Sequence, residues 1–243
     1  MTLLLSGRGT GRVIAPGAAS APERESLHRS ALGKVSGAVS LQLNIFAAGR
    51  PAVDADVPFT RLQLDERSWV DIARHFLRGA DTLFEELRDG VEWVQHRRHM
   101  YDRMLDDPRL SHWYGADEPL PHETLVSVRD ALAARYGVAF AGVGLNYYRD
   151  GRDSVASHRD RELRRLEDTR VAILTLGARR PFLIRPRGGG RSIDLSPASG
   201  DLLVMGGACQ IGFEHGVPKV VHAGPRISVS YRWASAADRS SDS

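Results

Sequence analysis

Cysteine is almost missing from this 243-residue chain: Cys209 is the only one. No internal disulfide can form, and neither a thiolate zinc site nor a Cys-X-X-Cys redox pair is available. Cys209 itself reads as a small buried apolar side chain. Lysine is nearly as scarce, since Lys34 and Lys219 are the only lysines among 33 basic residues. Long apolar runs are missing too. No window approaches the roughly 18 to 20 apolar residues that span a bilayer, and Leu3-Leu4-Leu5 falls short of a signal-peptide core of about 7 to 15. The expectation is a cytoplasmic protein without a disulfide-linked partner, and a monomer.

What is present is ordinary globular material, 42% hydrophobic and 26% charged with a formal net charge of +3. Arginine dominates the cations, and planar guanidinium groups suit phosphate recognition, although arginine spread over the whole chain also fits a general compositional habit. Its distribution is more telling. Between Arg149 and Arg191 there are twelve arginines against six acids, an excess that would form a positive face.

Residues 1–57 are rich in Gly, Ala, Ser and Pro and lack sustained periodicity, so a poorly ordered leader is expected. Residues 58–140 read as a helical flank and substrate-recognition segment. Asp65 can cap a helix in which Trp69, Ile72, Ala73, Phe76 and Leu77 recur at helical spacing; a second helix is predicted over 81–87, a strand over 91–94 and a third helix over 122–136. From residue 141 to 235 the texture is that of short strands, predicted at 141–148, 155–158, 171–176, 182–185, 192–195, 202–205, 220–222 and 226–233, with 236–243 as a tail. This argues for a mainly β fold with flanking helices, a sandwich or barrel. Arg187-Gly188-Gly189-Gly190-Arg191 reads as a hairpin tip, because a phosphate-cradling loop would need a Gly-Lys-Ser/Thr ending and a following helix.

Three stretches carry chemistry. In Ser157-His158-Arg159-Asp160 the two-residue period of an extended chain aims His158 and Asp160 at one point while Arg159 points away. Two histidines and one carboxylate on one face of an octahedral ion leave three positions open, as oxygen-activating ferrous sites require. His215 or His222 could complete the set. His215 is preferred because it follows an apolar strand and can face back across a barrel, whereas Gly224-Pro225 turns the chain just after His222. The last strand alternates, with Arg226, Ser228, Ser230 and Arg232 on one face and Ile227, Val229 and Tyr231 on the other. Its apolar face would pack on a second layer, and its two arginines would line a pocket suited to a dicarboxylate. Asn146 and Tyr148, also two apart, could add an amide and a phenol to that pocket.

Read in order, Asn146-X-Tyr148, Asp150-Gly151, His158-X-Asp160, Leu174-Thr175-Leu176-Gly177, Gly200-Asp201-Leu202-Leu203-Val204-Met205, His215-Gly216-Val217-Pro218 and Arg226-X5-Arg232 resemble the AlkB family of dioxygenases, in particular a bacterial AlkB-like group. The resemblance is strong over 142–233, weaker over 91–115 and absent before Phe59. It implies a double-stranded β-helix (jelly-roll) core. It further implies Fe(II) on His158, Asp160 and His215, with 2-oxoglutarate and O2 as co-substrates. Arg226, helped by Asn146 and Tyr148, would hold the distal carboxylate of 2-oxoglutarate, with Arg232 near its other end; Ser228 stands where many members have Asn. The implied reaction removes N-methyl groups from bases in DNA, or in RNA, releasing succinate, CO2 and formaldehyde. A base is reached by extrusion from the stack, which makes Tyr101, Trp113 and Tyr114 expected stacking residues and Glu162 an expected reader of a base edge. Two other readings compete: a 2-oxoglutarate dioxygenase acting on a protein or small molecule, and a non-catalytic β-barrel that binds nucleic acid.

Overall fold

Strands with two different faces build this protein. From Val143 onward, successive side chains alternate between one apolar surface and another that mixes apolar with polar groups, and the backbone sorts them to opposite sides of one sheet. The structure is a computed structural model that describes residues 49–100 and 103–234.

The first half contains β1 (Ala52–Val53), β2 (Phe59–Gln63), β3 (Ser68–Ala73), β4 (Leu77–Arg78), helix α1 (Ala80–Gly90), β5 (Arg97–Met100), β6 (Arg103–Asp106), β7 (Leu110–Tyr114) and helix α2 (Glu123–Tyr136). The second half contains β8 (Val143–Tyr148), β9 (Val155–His158), β10 (Thr169–Gly177), β11 (Leu183–Pro186), β12 (Ile193–Asp194), β13 (Leu202–Gly207), the short helix α3 (Cys209–Gly212), β14 (Phe213–Val217) and β15 (Arg226–Ala234). A seven-stranded sheet runs β2-β3-β13-β10-β15-β8-β7 and a four-stranded sheet runs β12-β11-β14-β9, with two-stranded pairs β1-β4 and β5-β6 beside them. Every strand pairing among the described residues is antiparallel. Two facing sheets of this order form the expected jelly-roll.

The large sheet has a core on each side. Ala172, Leu174 and Leu176 of β10 and Ile227, Val229 and Tyr231 of β15 meet Leu83 and Leu87 of α1 and Leu125, Val128 and Leu132 of α2. Tyr231 also donates its buried hydroxyl to the Leu125 carbonyl at 3.1 Å. On the other side Val171, Ile173, Leu203 and Met205 pack on Phe182, Ile184 and Val217. The polar residues of β8 and β15 share that inner face, so the site lies between the sheets.

Helix α2 ends as its sequence asks. His122 caps α2 by accepting the Thr124 N–H on Nδ1 at 3.0 Å, and Gly137 closes it with φ 66°, a left-handed conformation glycine takes without strain. The triple-glycine segment joins β11 to β12, with Gly188, Gly189 and Gly190 all at positive φ.

Four expectations need correction. The helix predicted from Asp65 is the hairpin of β2 and β3: the Asp65 carboxylate accepts the N–H groups of Arg67 and Ser68 at 2.9 and 2.7 Å and so caps a turn. Trp69, Ile72 and Ala73 recur at helical spacing, yet Val70, Asp71 and Ala73 are all buried, and a short strand covered on both faces carries no clean period. The segment 91–94 makes only one isolated bridge, Val94 to Ser111. The strand predicted over 220–222 is absent, because Val221 is 87% exposed in a loop, and the chain pairs earlier, at Phe213–Val217. The β sheet also begins well before residue 141, since β2, β3 and β7 come from the segment read as a helical flank. β1 lies within the stretch read as a leader; residues 1–48 lie outside the described residues.

Gly206 lies under the Trp69 indole, where an added Cβ would come within 2.1 Å of Cζ2. Gly206→Val should therefore destabilise the protein by about 1–3 kcal/mol through overpacking, read as a lowered denaturation midpoint.

Candidate active site

His158 closes β9 and stands directly opposite His215 of β14, with the ring centroids 4.5 Å apart. Asp160 follows two residues later, and one ligand atom from each of the three lies within 4.8 Å of the others. Such a cluster can hold a metal ion. Each member is oriented by a neighbour. His158 Nδ1 is 2.9 Å from the Ala156 carbonyl, so that nitrogen carries the proton and Nε2 is left as the ligand atom. The Asp160 N–H donates to Gln210 Oε1 at 2.9 Å, and Arg232 Nε donates to Asp160 Oδ2 at 2.9 Å. Asp160 Oδ1, 3.6 Å from His158 Nε2, remains turned toward the cluster. The Phe182 ring stacks on His215 with 17° between planes.

The electrostatics suit a cation. Burial pushes the Asp160 carboxyl upward, but its two histidine neighbours and the Arg232 guanidinium outweigh it and hold it well below the usual carboxylate range. Burial, reinforced by His158, pushes His215 down to about 4, so its imidazole is neutral near pH 7, as a metal ligand must be. His222, the rejected alternative, is exposed on the loop before β15.

A cavity of about 100 Å³ adjoins the cluster, lined in part by Asn146, Tyr148, Ser228, Ser230 and Arg232. The register of β8 against β15 sets Ser228 across from Asn146 and Arg226 across from Tyr148, so the two predicted stretches share one surface. Arg226 is fully buried behind it. Its donors reach Ser228 Oγ and Thr175 Oγ1 at 3.2 Å and the Arg180 carbonyl at 3.5 Å, all neutral acceptors. Burial pulls Arg226 down to about 10. An enclosed cation without a carboxylate fits a site built for an acidic ligand, and the donor set fits 2-oxoglutarate.

Arg109 also lines the cavity and donates from Nε to Asn146 Oδ1 at 2.8 Å. Sequence reasoning missed it and Gln210. The available signal for Arg109 was its place two residues before Ser111, on the face that Asn146 meets.

The residues expected to meet substrate separate. Trp113 lies on the pocket side of β7, its indole spread over Gly142 and Gly144, 48% exposed and 5.4 Å from the Arg232 guanidinium. Tyr114 is corrected: alternation turns it to the other face, where it is buried in the core beneath the helices. Glu162 accepts from Arg232 NH1 at 3.2 Å and stays open to solvent, while Tyr101 lies outside the described residues.

Removing either histidine of the facing pair should abolish tight Mn(II) binding, whereas His222→Ala should bind as the wild type does. Electron paramagnetic resonance titration of free Mn(II) reads both, and a binding loss in His222→Ala would refute the assignment.

The sequence profile of the 2OG-Fe(II) oxygenase superfamily matches residues 84–232. The chain is 32% identical over 177 residues to alpha-ketoglutarate-dependent dioxygenase alkB homolog 3 of Bos taurus, covering 64% of this chain and 62% of that one. It is 30% identical over 178 residues to the DNA oxidative demethylase ALKBH2 of Bos taurus, covering 63% and 64%. The match thus spans under two thirds of these relatives' length. Among solved structures, a Trichoplax adhaerens prolyl hydroxylase bound to a peptide fragment aligns with a TM-score of 0.53 at 13% identity over 72% of this chain and 87% of its own. OsALKBH1 aligns at 0.51 and 15% identity over 72% and 99%. These two likenesses speak for the fold. A facing histidine pair with its carboxylate, a buried arginine behind an acid-sized cavity and this profile together place the chain in the 2OG-Fe(II) oxygenase superfamily, which uses Fe(II), 2-oxoglutarate and O2.

Proposed function

We propose that this protein oxidatively demethylates N-alkylated bases in nucleic acid, with DNA as the first polymer to test and RNA as the second. The observation that carries the reading is a second cavity, about 260 Å³, that adjoins the metal cluster through Arg232 and is walled by Trp113, Leu163, Leu166 and Trp233, with Glu162 at its polar end. Flat apolar walls with one carboxylate and one guanidinium suit a planar heterocycle with polar edges. The names of the relatives, a dioxygenase of the alkB type and a DNA oxidative demethylase, support the same chemistry.

The chain's own residues have separate tasks in this reading. His158 Nε2, Asp160 Oδ1 and His215 hold the metal. Arg226, Tyr148, Asn146 and Ser228 receive the distal carboxylate of 2-oxoglutarate, and Tyr148 stays a neutral hydrogen-bond donor because burial raises its phenol. Arg232 fixes Asp160 and Glu162 together, so the metal ligand and the substrate wall move as one unit. When bound, Fe(II) with 2-oxoglutarate and O2 supplies the oxidation of an N-methyl group, which leaves as formaldehyde while 2-oxoglutarate becomes succinate and CO2. Outside the cavity, Arg159 has its charge disfavoured by burial and by Arg187 and Arg164. Such a like-charged cluster favours a polyanion such as a phosphate backbone.

Under Fe(II), N-methylated single-stranded oligonucleotides should stimulate succinate release above the unmethylated background, and His158→Ala should abolish it. Absence of stimulation by any N-methylated DNA or RNA would reject the nucleic-acid reading in favour of a protein or small-molecule substrate. Trp113→Ala should raise KM for the oligonucleotide by the equivalent of about 1–3 kcal/mol, the worth of one stacked base. Turnover of 2-oxoglutarate without oligonucleotide should be unaltered in that variant.

A further inference from the structure

Arg226 is not alone behind the co-substrate cavity. Arg180, in the turn after β10, is 1% exposed and its main-chain carbonyl is the one that accepts from Arg226 NH1. Its guanidinium lies 5.4 Å from the ring centroid of Tyr148, which lines the cavity. It donates from NH1 to the Asp150 carbonyl at 2.9 Å and from NH2 to the Asp153 and Pro218 carbonyls at 2.8 and 2.9 Å. Its Nε is buried without a hydrogen-bond partner.

Two features of this arrangement exceed a simple clamp. The carbonyls belong to the loop that leads into β9 and to the residue that follows β14, so Arg180 ties together the two strands that carry His158 and His215. Neutral donors would serve carbonyls equally well, and a buried charge is costly unless an opposite charge meets it. Among the described residues, no carboxylate pairs with Arg180 or Arg226: Asp153 is held by Arg149 and Asp150 by Arg152. Two enclosed cations thus flank Tyr148 with only neutral partners. Burial disfavours both charges and Arg180 adds to the effect on Arg226, while the charges of Asp150 and Asp153 near Arg180, and of Asp194 near Arg226, offset it only in part. An anionic ligand tail at the inner end of the cavity would supply the missing counter-charge.

We infer that Arg180 is a positioning residue that selects the co-substrate by charge: it holds the loops around the inner end of the cavity and, beside Arg226, makes that end specific for a 2-oxo acid with a carboxylate tail. The inference rests on 2-oxoglutarate occupying this cavity. Its effect is long-range, acting past Tyr148, so it appears as a preference between ligands of like shape and unlike charge.

Calorimetric titration of the Mn(II)-loaded protein with 2-oxoglutarate and with 2-oxopentanoate, which shares the head group and chain but ends in a methyl, separates charge from scaffolding. Arg180→Gln keeps two of the N–H donors and loses the charge; it should weaken 2-oxoglutarate about tenfold and leave 2-oxopentanoate within about twofold of wild type, as removal of one Coulomb partner demands. Arg180→Lys keeps the charge and should retain the preference. Arg226→Met, with Arg180 intact, should still favour 2-oxoglutarate, which keeps the test decisive if Arg180→Gln does not fold. Equal weakening of both ligands in Arg180→Gln, loss of preference in Arg180→Lys, or no preference left in Arg226→Met would overturn the assignment. Wild type that binds no 2-oxoglutarate would instead bring down the reading of the cavity itself, and the Arg180 role with it.

Discussion

Strand β15 belongs to two cores at once, and the rest of the protein is arranged around that constraint. Its odd-numbered residues Ile227, Val229 and Tyr231 are sealed beneath α1 and α2, which pins the strand in depth and rotation. The period of two then leaves Arg226, Ser228, Ser230 and Arg232 no other direction than inward. A slip of one residue would bury two guanidiniums under the helices and turn the apolar side chains into the cavity. The helices therefore matter to the chemistry without touching it.

Charge is distributed along this strand by depth. Arg232, toward the open end, has two carboxylates, Asp160 and Glu162, and so links the His158, Asp160 and His215 cluster to the second cavity. Arg226, at the closed end, has none, and Arg180 joins it there. A ligand with two acidic ends lies naturally along such a gradient. The carboxylate set between the two histidines and the absence of any carboxylate pairing with Arg226 among the described residues are two sides of one electrostatic pattern.

Much of this was legible from spacing. The strand expected over 155–158 has its observed bounds, and the third helix lies within a residue of its own, because Leu125, Val128, Leu132 and Ala133 form one apolar stripe. The alternation of 226–232 identified its two faces correctly. Where local signals conflicted, they misled. Asp65 has the chemistry of a cap, but a turn uses that chemistry as readily as a helix does. Trp113 and Tyr114 look equivalent as neighbouring aromatics, yet only tertiary packing shows which face of β7 meets the cavity. Arg109, Gln210 and Arg180 were invisible as functional groups, since an isolated arginine or glutamine carries no pattern and its meaning comes from what stands across from it.

The sequence by itself determined the identities and the periods: which residues can bind a cation, which strand alternates, and which motif order resembles AlkB. The tertiary structure decided the convergence. His158 and His215 are 57 residues apart in the chain and meet because β9 pairs with β14, a long-range register that hydrogen bonds and packing set together. It also decided which buried charges lack partners. That property belongs to the space around a residue, and no local pattern in a chain can encode it.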